Sequence, residues 1–432
     1  MGILVYRDRN GHPEFVGRID YRRGERGTFS YDEAYVRRAV QAEELGISVM
    51  LPLDAAPYSS AEFGPFFEGL LPEGEVLANL AGLYQVPRSD YLALLEQMGC
   101  ESIGALTFVS EGVDPREYEP RYEQVESKTL NEMIENPVRM ATLAASSTRL
   151  SLAGAQYKVA WFLSKDADAR SASAKDWMIP RGTAPSTHII KISRRGEEEI
   201  ALNELACALL ARACGFEVTE VHELAEVPGA ISVARYDRVR VEVDGADAVV
   251  RLHQEDFCQA LGLAPFFKYQ PQGVEANYPY MAADLIESAS ANPQDDLLEF
   301  SKRMVFNYVI GNSDAHFKNF SLLYNRAWTA RRLAPLYDVT CIPLTGYSTA
   351  MPFDIGDHRA LEDIDERDFT LLAADMDVSL GRFSEEVSRL VTTLEAPSLE
   401  YLDSRVENMV GRILENSAPR LKVVRDFLGT VG

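Results

Sequence analysis

The stretch IGNSDAHFKNF, residues 310–320, decides the interpretation of this sequence. An apolar run with helical spacing precedes it and includes Leu297, Phe300, Met304 and Tyr308. Gly311 is placed to end that helix, because glycine adopts the left-handed conformation that closes a helix. The polar residues that follow are therefore predicted to lie in a loop at the end of a buried helix.

Asp314 and Asn319 have the Asp-x-x-x-x-Asn spacing of a kinase catalytic loop. In such a loop the Asp accepts the proton of the attacking hydroxyl, and the Asn oxygen binds Mg²⁺ on the phosphates. Lys318 could contact the transferring phosphoryl group and offset its charge. A polar turn that caps a helix can have the same spacing, so the pair alone leaves both interpretations open.

A second acidic position follows in Leu336-Tyr337-Asp338-Val339. Residues 333–337 are typical of a strand end, and Asp338 stands where the chain leaves it. A carboxylate there can bind Mg²⁺ between the β- and γ-phosphates, as the Asp of a kinase DFG segment does. The alternative is an ordinary Asp at a turn after a strand.

The strand-rich part of the sequence offers two phosphate-binding candidates. The segment THIIKI, residues 187–192, predicts a strand that carries Lys191, and Glu204 on the next helix is its candidate ion-pair partner. The alternative for Lys191 is a solvated lysine on an edge strand. The segment SLAGAQYK, residues 151–158, contains small residues that allow backbone N–H groups to approach phosphates. An ordinary tight turn is the alternative there.

The order of elements predicts an α+β, bilobal protein kinase-like fold, with a strand-rich N-lobe, an all-helical C-lobe and a small N-terminal α/β subdomain. The predicted divisions are a subdomain at 1–110, a linker at 111–139, the N-lobe at 140–252 and the C-lobe at 253–432. The linker is placed where the chain is polar, acidic and interrupted by Pro115 and Pro120.

Composition excludes several classes of protein. Apolar residues make up 46% of the 432 residues and charged residues 25%, as in a folded globular protein. The net charge of −23 disfavours direct binding to DNA or to an anionic membrane and favours a basic partner, although it also simply promotes solubility. Five scattered cysteines without a CxxC pair, and a polar N-terminal stretch without a signal peptide, predict a cytoplasmic protein.

Several residues favour structural roles. Phe266, Phe267 and Tyr269 are more typical of a core than of a pocket lining. His188 precedes the Lys191 strand and is expected to be structural.

Taken together, these segments resemble the HipA family of serine/threonine kinases, the toxins of bacterial toxin–antitoxin pairs. The resemblance covers nearly the whole chain, and its segments follow in order: 66–72, 104–106, 151–158, 180–182, 187–191, 234–238, 254–259, 311–319 and 337–338. It implies a kinase-like fold with an extra N-terminal subdomain, and ATP and Mg²⁺ as cofactors.

The resemblance also implies roles for individual residues. Asp314 would be the proton acceptor, Asn319 and Asp338 the Mg²⁺ ligands, and Ser151 the site of an inactivating autophosphorylation. Contacts to the nucleotide would come from a set spread over the predicted lobes: Ala153, Gly154, Ala155, Gln156, Tyr157, Lys158, Lys191, Ala234, Arg235, Tyr236, His316, Lys318, Asn319, Tyr337 and Asp338. In the family a Glu can stand where this chain has Ala234, which leaves only backbone contacts to adenine at that position.

Partners are implied in the same way. We expect a HipB-like helix-turn-helix antitoxin, contact with DNA only through that antitoxin, no membrane, and a protein substrate such as glutamyl-tRNA synthetase or another aminoacyl-tRNA synthetase. Two alternatives stay open: a catalytically weak kinase fold that acts as an antitoxin-bound co-repressor, and a kinase for a small molecule.

Overall fold

The structure is a computed structural model. It describes residues 2–22, 24, 26–99, 101–112, 119–148, 157–194, 196–224, 226–273, 276–346, 349–399 and 403–431, with residues 131, 134, 147 and 148 described by their backbone alone.

Within these ranges the chain forms strands and helices that alternate irregularly. The strands are β1 Gly2–Arg9, β2 His12–Asp20, β3 Thr28–Tyr31, β4 Tyr58–Ser59, β5 Leu106–Ser110, β6 Arg121–Gln124, β7 Lys158–Leu163, β8 Trp177–Arg181, β9 His188–Ile192, β10 Val221–Glu223, β11 Ala230–Ala234, β12 Arg238–Val243, β13 Ala246–Arg251, β14 Gln254–Asp256, β15 Ser321–Tyr324, β16 Arg331–Leu333, β17 Ala350–Ile355 and β18 His358–Ala360. The helices are α1 Glu33–Gln41, α2 Ser60–Gly69, α3 Gly74–Tyr84, α4 Tyr91–Met98, α5 Ser127–Glu135, α6 Pro137–Thr148, α7 Glu199–Ala213, α8 Phe257–Ala260, α9 Tyr278–Ala289, α10 Pro293–Ile310, α11 Glu366–Asp375, α12 Leu380–Glu395 and α13 Ser404–Val431.

The chain divides into two compact units. Unit 1 comprises residues 1–201, 221–265 and 323–330, and unit 2 comprises residues 202–220, 266–322 and 331–432. The mixture of helices and sheets confirms the predicted α+β class. The four-part division at residues 110, 139 and 252 stays a prediction.

Among the described residues, unit 1 contains two large antiparallel sheets and the two-stranded antiparallel sheet β12–β13. The first has the order β4-β3-β2-β1-β5 and packs its apolar face on α2, α3 and α4, where the aromatic side chains of Phe63, Phe66 and Phe67 are buried. The second has the order β10-β11-β9-β7-β8-β6. Strand β7 has the bounds that the apolar run KVAWFL predicts, and β9 confirms the strand predicted to carry Lys191.

The segment predicted as a linker contains regular structure. Strand β6 pairs with β8 at the edge of the second sheet, and helix α5 follows it. All four residues of β6 are exposed. An edge strand without a buried face has no apolar alternation, so its sequence gave no strand signal.

Unit 2 is built mainly from α9 to α13. Gly311 ends α10 with φ of +76°, as the sequence predicts. The half predicted to be all helical also contains short strands, among them the antiparallel pair β17–β18. Pro352 within β17 interrupts the strand signal, because proline cannot donate a backbone hydrogen bond to a neighbour.

A buried carboxylate organises the interior of unit 1. Glu101 is 1% exposed, and its oxygens accept hydrogen bonds from Arg235 at 3.1 Å, Arg238 at 2.9 Å and Arg251 at 2.6 Å. Asp237 adds a second buried carboxylate and pairs with Arg235 at 2.7 Å. We call these five residues the Glu101 cluster. They come from the turn before β5 and from the ends of β11, β12 and β13, so the cluster joins the two sheet regions of unit 1.

The segment QEDFCQ, residues 254–259, also has a structural role. Glu255 is fully buried and accepts hydrogen bonds from Ser48 Oγ at 2.5 Å and Tyr324 Oη at 2.8 Å. Asp256 and Gln259 form a capping box at the start of α8. These contacts account for the acidic and amide residues of the segment without any role in chemistry.

In the part of the chain that the structure describes, four cysteines are free thiols: Cys207, Cys214, Cys258 and Cys341. Burial raises the pKa of Cys214 to about 12, which keeps this thiol protonated and unreactive. None of the helices in the described ranges combines the length and apolar character needed to cross a membrane.

Replacing Glu101 should destabilise the protein strongly. In Glu101→Gln the three buried arginines keep Asp237 as the carboxylate of the cluster but lose Glu101, and breaking such a buried ion pair costs ~3–5 kcal/mol of unfolding free energy. Urea unfolding followed by circular dichroism measures the loss. The matched control is Glu33→Gln, whose carboxylate is 86% exposed and pairs only with Arg37, and its midpoint should stay close to wild type.

Acid should weaken the same cluster. Burial alone would raise the pKa of Glu101, but the charges of Arg238, Arg251 and Arg235 lower it to about 2 from its ordinary value of 4.5. A carboxyl group with a lowered pKa contributes its full stability above pH 4.5 and loses it as the pH falls towards 2. The thermal midpoint of the wild type should therefore fall across this window, and the fall should be smaller in Glu101→Gln.

Candidate active site

The loop after α10, residues 311–320, is buried except at Asp314 and Asn319. Asp314 exposes 52% of its side chain, and Asn319 is partly exposed. The other polar residues of the loop are buried, with exposures of 1–7%: Asn312, Ser313, His316 and Lys318. A helix cap would not require its neighbours to be buried around one exposed carboxylate. The arrangement favours a carboxylate presented to a ligand over a simple polar turn.

Hydrogen bonds fold the loop so that its two ends meet. The Asn319 side-chain Nδ2 donates to the Asp314 carbonyl oxygen at 2.8 Å, and the His316 backbone N–H donates to the same oxygen at 2.7 Å. Because the NH₂ group of Asn319 is used in this way, its Oδ1 oxygen is the atom of that amide available to a cation. The five-residue spacing therefore places an acidic and an amide side chain at one turn.

Tyr337 attaches the second acidic segment to this loop. Its hydroxyl donates to the Lys318 carbonyl oxygen at 3.0 Å and pairs with Ser321 Oγ at 2.7 Å. Asp338 follows directly, is partly buried, and has a left-handed backbone with φ of +57°. Residues other than glycine adopt this conformation at a cost, and such strained positions concentrate at functional sites. Asn319 and Asp338 thus each directly follow one member of the bonded pair Lys318–Tyr337 in the chain.

An aromatic residue contacts the candidate base directly. The Tyr269 hydroxyl donates a hydrogen bond to Asp314 Oδ1, and its ring meets the His316 ring edge-on at 5.0 Å between centroids. Phe266, Phe267 and Tyr269 expose 85%, 41% and 40% of their surfaces. The prediction that these three belong to a core is therefore wrong. No local sequence pattern predicts the contact, because 45 positions separate Tyr269 from Asp314.

Lys191 is not the solvated edge lysine that the sequence left as an alternative. It is 5% exposed and lies on β9, an inner strand of the six-stranded sheet, opposite Ile231 of β11 and Lys158 of β7. Lysines are almost never fully buried unless their charge is paired. Glu204 is 2% exposed on α7, and its pairing with Lys191 stays a prediction.

The predicted phosphate loop lies mostly outside the described residues, including Ser151, Ala153, Gly154, Ala155 and Gln156.

Its last two residues are described. The Tyr157 hydroxyl donates to Glu75 at 2.5 Å and lies beside Arg194, and Lys158 begins β7. The Tyr157 side chain is thus held by residues of unit 1 outside the phosphate loop.

The predicted hinge follows β11. Ala234 is half-buried and pairs with His188, whose pKa burial lowers to about 4, so that this imidazole is neutral. The Arg235 guanidinium belongs to the Glu101 cluster, and the Tyr236 hydroxyl donates to Gln254. The side chains of Arg235 and Tyr236 thus have structural partners, and the Arg235 backbone N–H donates to the Thr187 carbonyl at 2.9 Å.

A cluster of three possible metal ligands in unit 2 has a structural explanation. His358, Asp365 and Asp368 lie within ligand distance of one another. Asp368 accepts hydrogen bonds from His358 Nδ1 at 2.8 Å and from the backbone of Asp365 at 2.8 Å, as part of the capping box of α11. Helix capping accounts for this group.

Comparison with known proteins identifies the family. The HipA-like C-terminal domain matches residues 150–399, and the HipA N-terminal domain matches residues 11–109. Y4mE of Sinorhizobium fredii, named as a candidate kinase, is 34% identical over 414 residues, which cover 92% of this chain and 93% of that protein. The chain belongs to the HipA family of kinase toxins. The resemblance drawn from the sequence is confirmed.

Two further matches come from Shewanella oneidensis. The serine/threonine-protein kinase toxin HipA of that organism is 28% identical over 313 residues, which cover 69% of this chain and 67% of the toxin. A chain in the solved complex of HipA, HipB and operator DNA shares 22% identity with a TM-score of 0.79, and the match covers 99% of both chains. This HipA-family chain therefore has the kinase-like fold of that structure.

Replacing Asp338 by glycine should remove phosphate transfer without reducing the stability of the fold. In Asp338→Gly we expect unfolding stability to be retained or to rise by up to ~1 kcal/mol, because glycine adopts φ of +57° without penalty. Transfer of phosphate from labelled ATP should be lost together with the carboxylate. Thermal unfolding and a transfer assay measure the two effects.

Asp377→Gly is the matched control. Asp377 has φ of +49° and is exposed after α11, so this variant should keep its stability and its transfer activity alike. A large loss of stability in Asp338→Gly alone would contradict a functional reason for the carboxylate.

Proposed function

We propose that this HipA-family chain is an ATP- and Mg²⁺-dependent serine/threonine protein kinase that acts as the toxin of a toxin–antitoxin module. One observation carries the proposal: a buried loop presents a single half-exposed carboxylate, Asp314, and the segment that carries Asp338 is hydrogen-bonded to the same loop. Two carboxylates and an amide around one turn match the requirements of phosphoryl transfer.

Asp314 is the general base in this proposal. Its exposed carboxylate can approach the hydroxyl of an acceptor and take its proton as the new bond to phosphorus forms. Lys318 lies four residues further along the loop, is 7% exposed, and would offset negative charge at the transferring group. Its burial favours this role, because a lysine held away from water interacts more strongly with a phosphate.

The donor atoms fit magnesium. Asn319 offers an amide oxygen and Asp338 a carboxylate, and Mg²⁺ prefers a small number of oxygen ligands from the protein, completed by water and phosphate. ATP bound with Mg²⁺ would supply the phosphoryl group. Asn319 and Asp338 would hold the metal, while His316 and Tyr337 would stand close to the nucleotide.

Residues of unit 1 would bind the nucleotide. Lys191 would contact the α- and β-phosphates, and its buried, central position supports a role for its charge. The loop from Ala153 to Lys158 would cover the phosphates, and the backbone of Ala234 to Tyr236 would meet the adenine. Phosphorylation of Ser151 would add about two negative charges beside this loop and switch the enzyme off.

The partners are part of the proposal. HipA of Shewanella oneidensis is found in a complex with HipB and operator DNA, which supports a HipB-like antitoxin for this chain. A basic, DNA-binding antitoxin would complement the net charge of −23 and provide the contact with DNA. The proposed substrate is an aminoacyl-tRNA synthetase such as glutamyl-tRNA synthetase, whose phosphorylation would halt translation.

Removal of the base should abolish transfer. We expect Asp314→Asn to lower the rate of phosphate transfer from labelled ATP to protein by roughly 10³-fold or more, because a general base contributes on the order of 10²–10⁴-fold. The assay incubates the purified chain with labelled ATP and a cell lysate, followed by mass spectrometry of the labelled proteins. Chelation of Mg²⁺ should have the same effect in the wild type.

Asp377→Asn removes an exposed aspartate of unit 2 outside the site and is the matched control. Equal labelling by wild type and Asp314→Asn would refute the assignment. Tight antitoxin binding without label on any protein would favour the co-repressor, and ATP turnover stimulated only by a metabolite would favour the small-molecule kinase.

A further inference from the structure

The contact between Tyr269 and the candidate base has a consequence for the acceptor. A general base must lie within hydrogen-bond distance of the hydroxyl whose proton it takes. In this structure a hydroxyl already occupies such a position, because Tyr269 Oη donates to Asp314 Oδ1. We infer that Tyr269 occupies the acceptor position of Asp314, so that the hydroxyl of a protein substrate must displace it. This inference rests on the proposed role of Asp314 as the base.

The backbone around Tyr269 is fixed by its neighbour Gln270. The Gln270 backbone N–H donates to the Pro352 carbonyl at 2.9 Å, and its side-chain amide exchanges hydrogen bonds with Asp354 at 2.6 and 3.0 Å. Arg359 donates to the Gln270 carbonyl at 2.8 Å. Four hydrogen bonds to β17 and β18 thus hold the main chain next to Tyr269 in one place.

The other side of the segment is fixed as well. The Tyr278 hydroxyl donates to the Phe267 carbonyl at 2.7 Å, and the Tyr278 ring stacks on Phe317 of the loop at 4.6 Å. The segment and the loop of Asp314 are therefore tied to one another through α9. The position of Tyr269 opposite Asp314 is a consequence of this packing.

The side chain of Tyr269, in contrast, can move away from Asp314. It is 40% exposed, its ring meets the His316 ring edge-on, and the Lys268 amino group lies 5.4 Å from its ring centre. Rotation about its own side-chain bonds is sufficient to withdraw the hydroxyl from Asp314 while the backbone stays in place. A fixed backbone with a removable side chain is the arrangement expected of a group that competes with an incoming acceptor.

Competition has a defined kinetic signature. Displacing a hydrogen bond to a charged group opposes acceptor binding, so its removal should lower the KM for the acceptor by about ten-fold. The KM for ATP should not change, because the inferred contact concerns the acceptor alone. If Tyr269 instead only orients the carboxylate of Asp314, its removal should lower kcat and leave the acceptor KM unchanged.

The experiment compares Tyr269→Phe with wild type. This variant keeps the ring and its contacts with His316 and Lys268 but removes the hydroxyl. Initial rates are measured with labelled ATP and dephosphorylated casein over a range of casein concentrations, which gives kcat and KM for the acceptor separately. Tyr280→Phe, which changes a 60% exposed tyrosine of the same unit, is the matched control and should behave as wild type.

A fall of about ten-fold in the casein KM of Tyr269→Phe alone supports the inference. An unchanged KM, a fall in kcat, or phosphate recovered on Tyr269 itself by mass spectrometry overturns it.

The variant Asp314→Asn in the same assay distinguishes failure of the inference about Tyr269 from failure of the proposed role of Asp314 as the base. If wild type labels casein, Asp314→Asn does not, and Tyr269→Phe equals wild type, the inference alone fails. If wild type and Asp314→Asn label equally, or if no variant labels any protein, the proposed base and the inference fail together.

Discussion

The buried carboxylate of Glu101, held by three arginines, is the interaction on which the architecture of unit 1 depends. Each arginine comes from a different place, at the end of β11, the start of β12 and the end of β13, so a single carboxylate fixes three strand ends. Such a cluster tolerates no partial loss, because any member left alone would be a buried charge without compensation. It also constrains the predicted hinge, since the Arg235 side chain is used inside the protein and the Arg235 backbone N–H donates to the Thr187 carbonyl at 2.9 Å.

In unit 2 a buried, hydrogen-bonded loop positions the candidate catalytic residues. The loop after α10 is buried almost throughout, and its internal hydrogen bonds leave the Asp314 carboxylate and the Asn319 oxygen as its outward polar atoms. Tyr337 then brings Asp338 to the loop through hydrogen bonds to Lys318 and Ser321. Positioning of this kind is the main contribution that a protein makes to phosphoryl transfer, because the reaction needs charges held in place more than it needs covalent participation.

The sequence predicts the elements that have strong local signals. The helix before Gly311, the strand of Lys191 and the apolar strand β7 follow from periodicity and from the conformational freedom of glycine. Two strands lack a local signal for different reasons: β6 is exposed throughout and has no buried face, whereas β17 is mostly buried but is interrupted by Pro352. At the site, the spacing of Asp314 and Asn319 is local and therefore visible. The contact of Tyr269 with Asp314 and the left-handed backbone of Asp338 depend on packing between distant segments, which no local pattern records.

The central claim is that Asn319 and Asp338 bind one metal ion beside Asp314. A crystal structure of Asp314→Asn grown with ATP and Mg²⁺ tests it most directly. The account predicts a magnesium ion with oxygens of both Asn319 and Asp338 at about 2.0–2.1 Å and phosphate oxygens completing its coordination. A nucleotide-bound structure in which the metal contacts neither side chain, or in which Asp338 faces away from the ion, would contradict it.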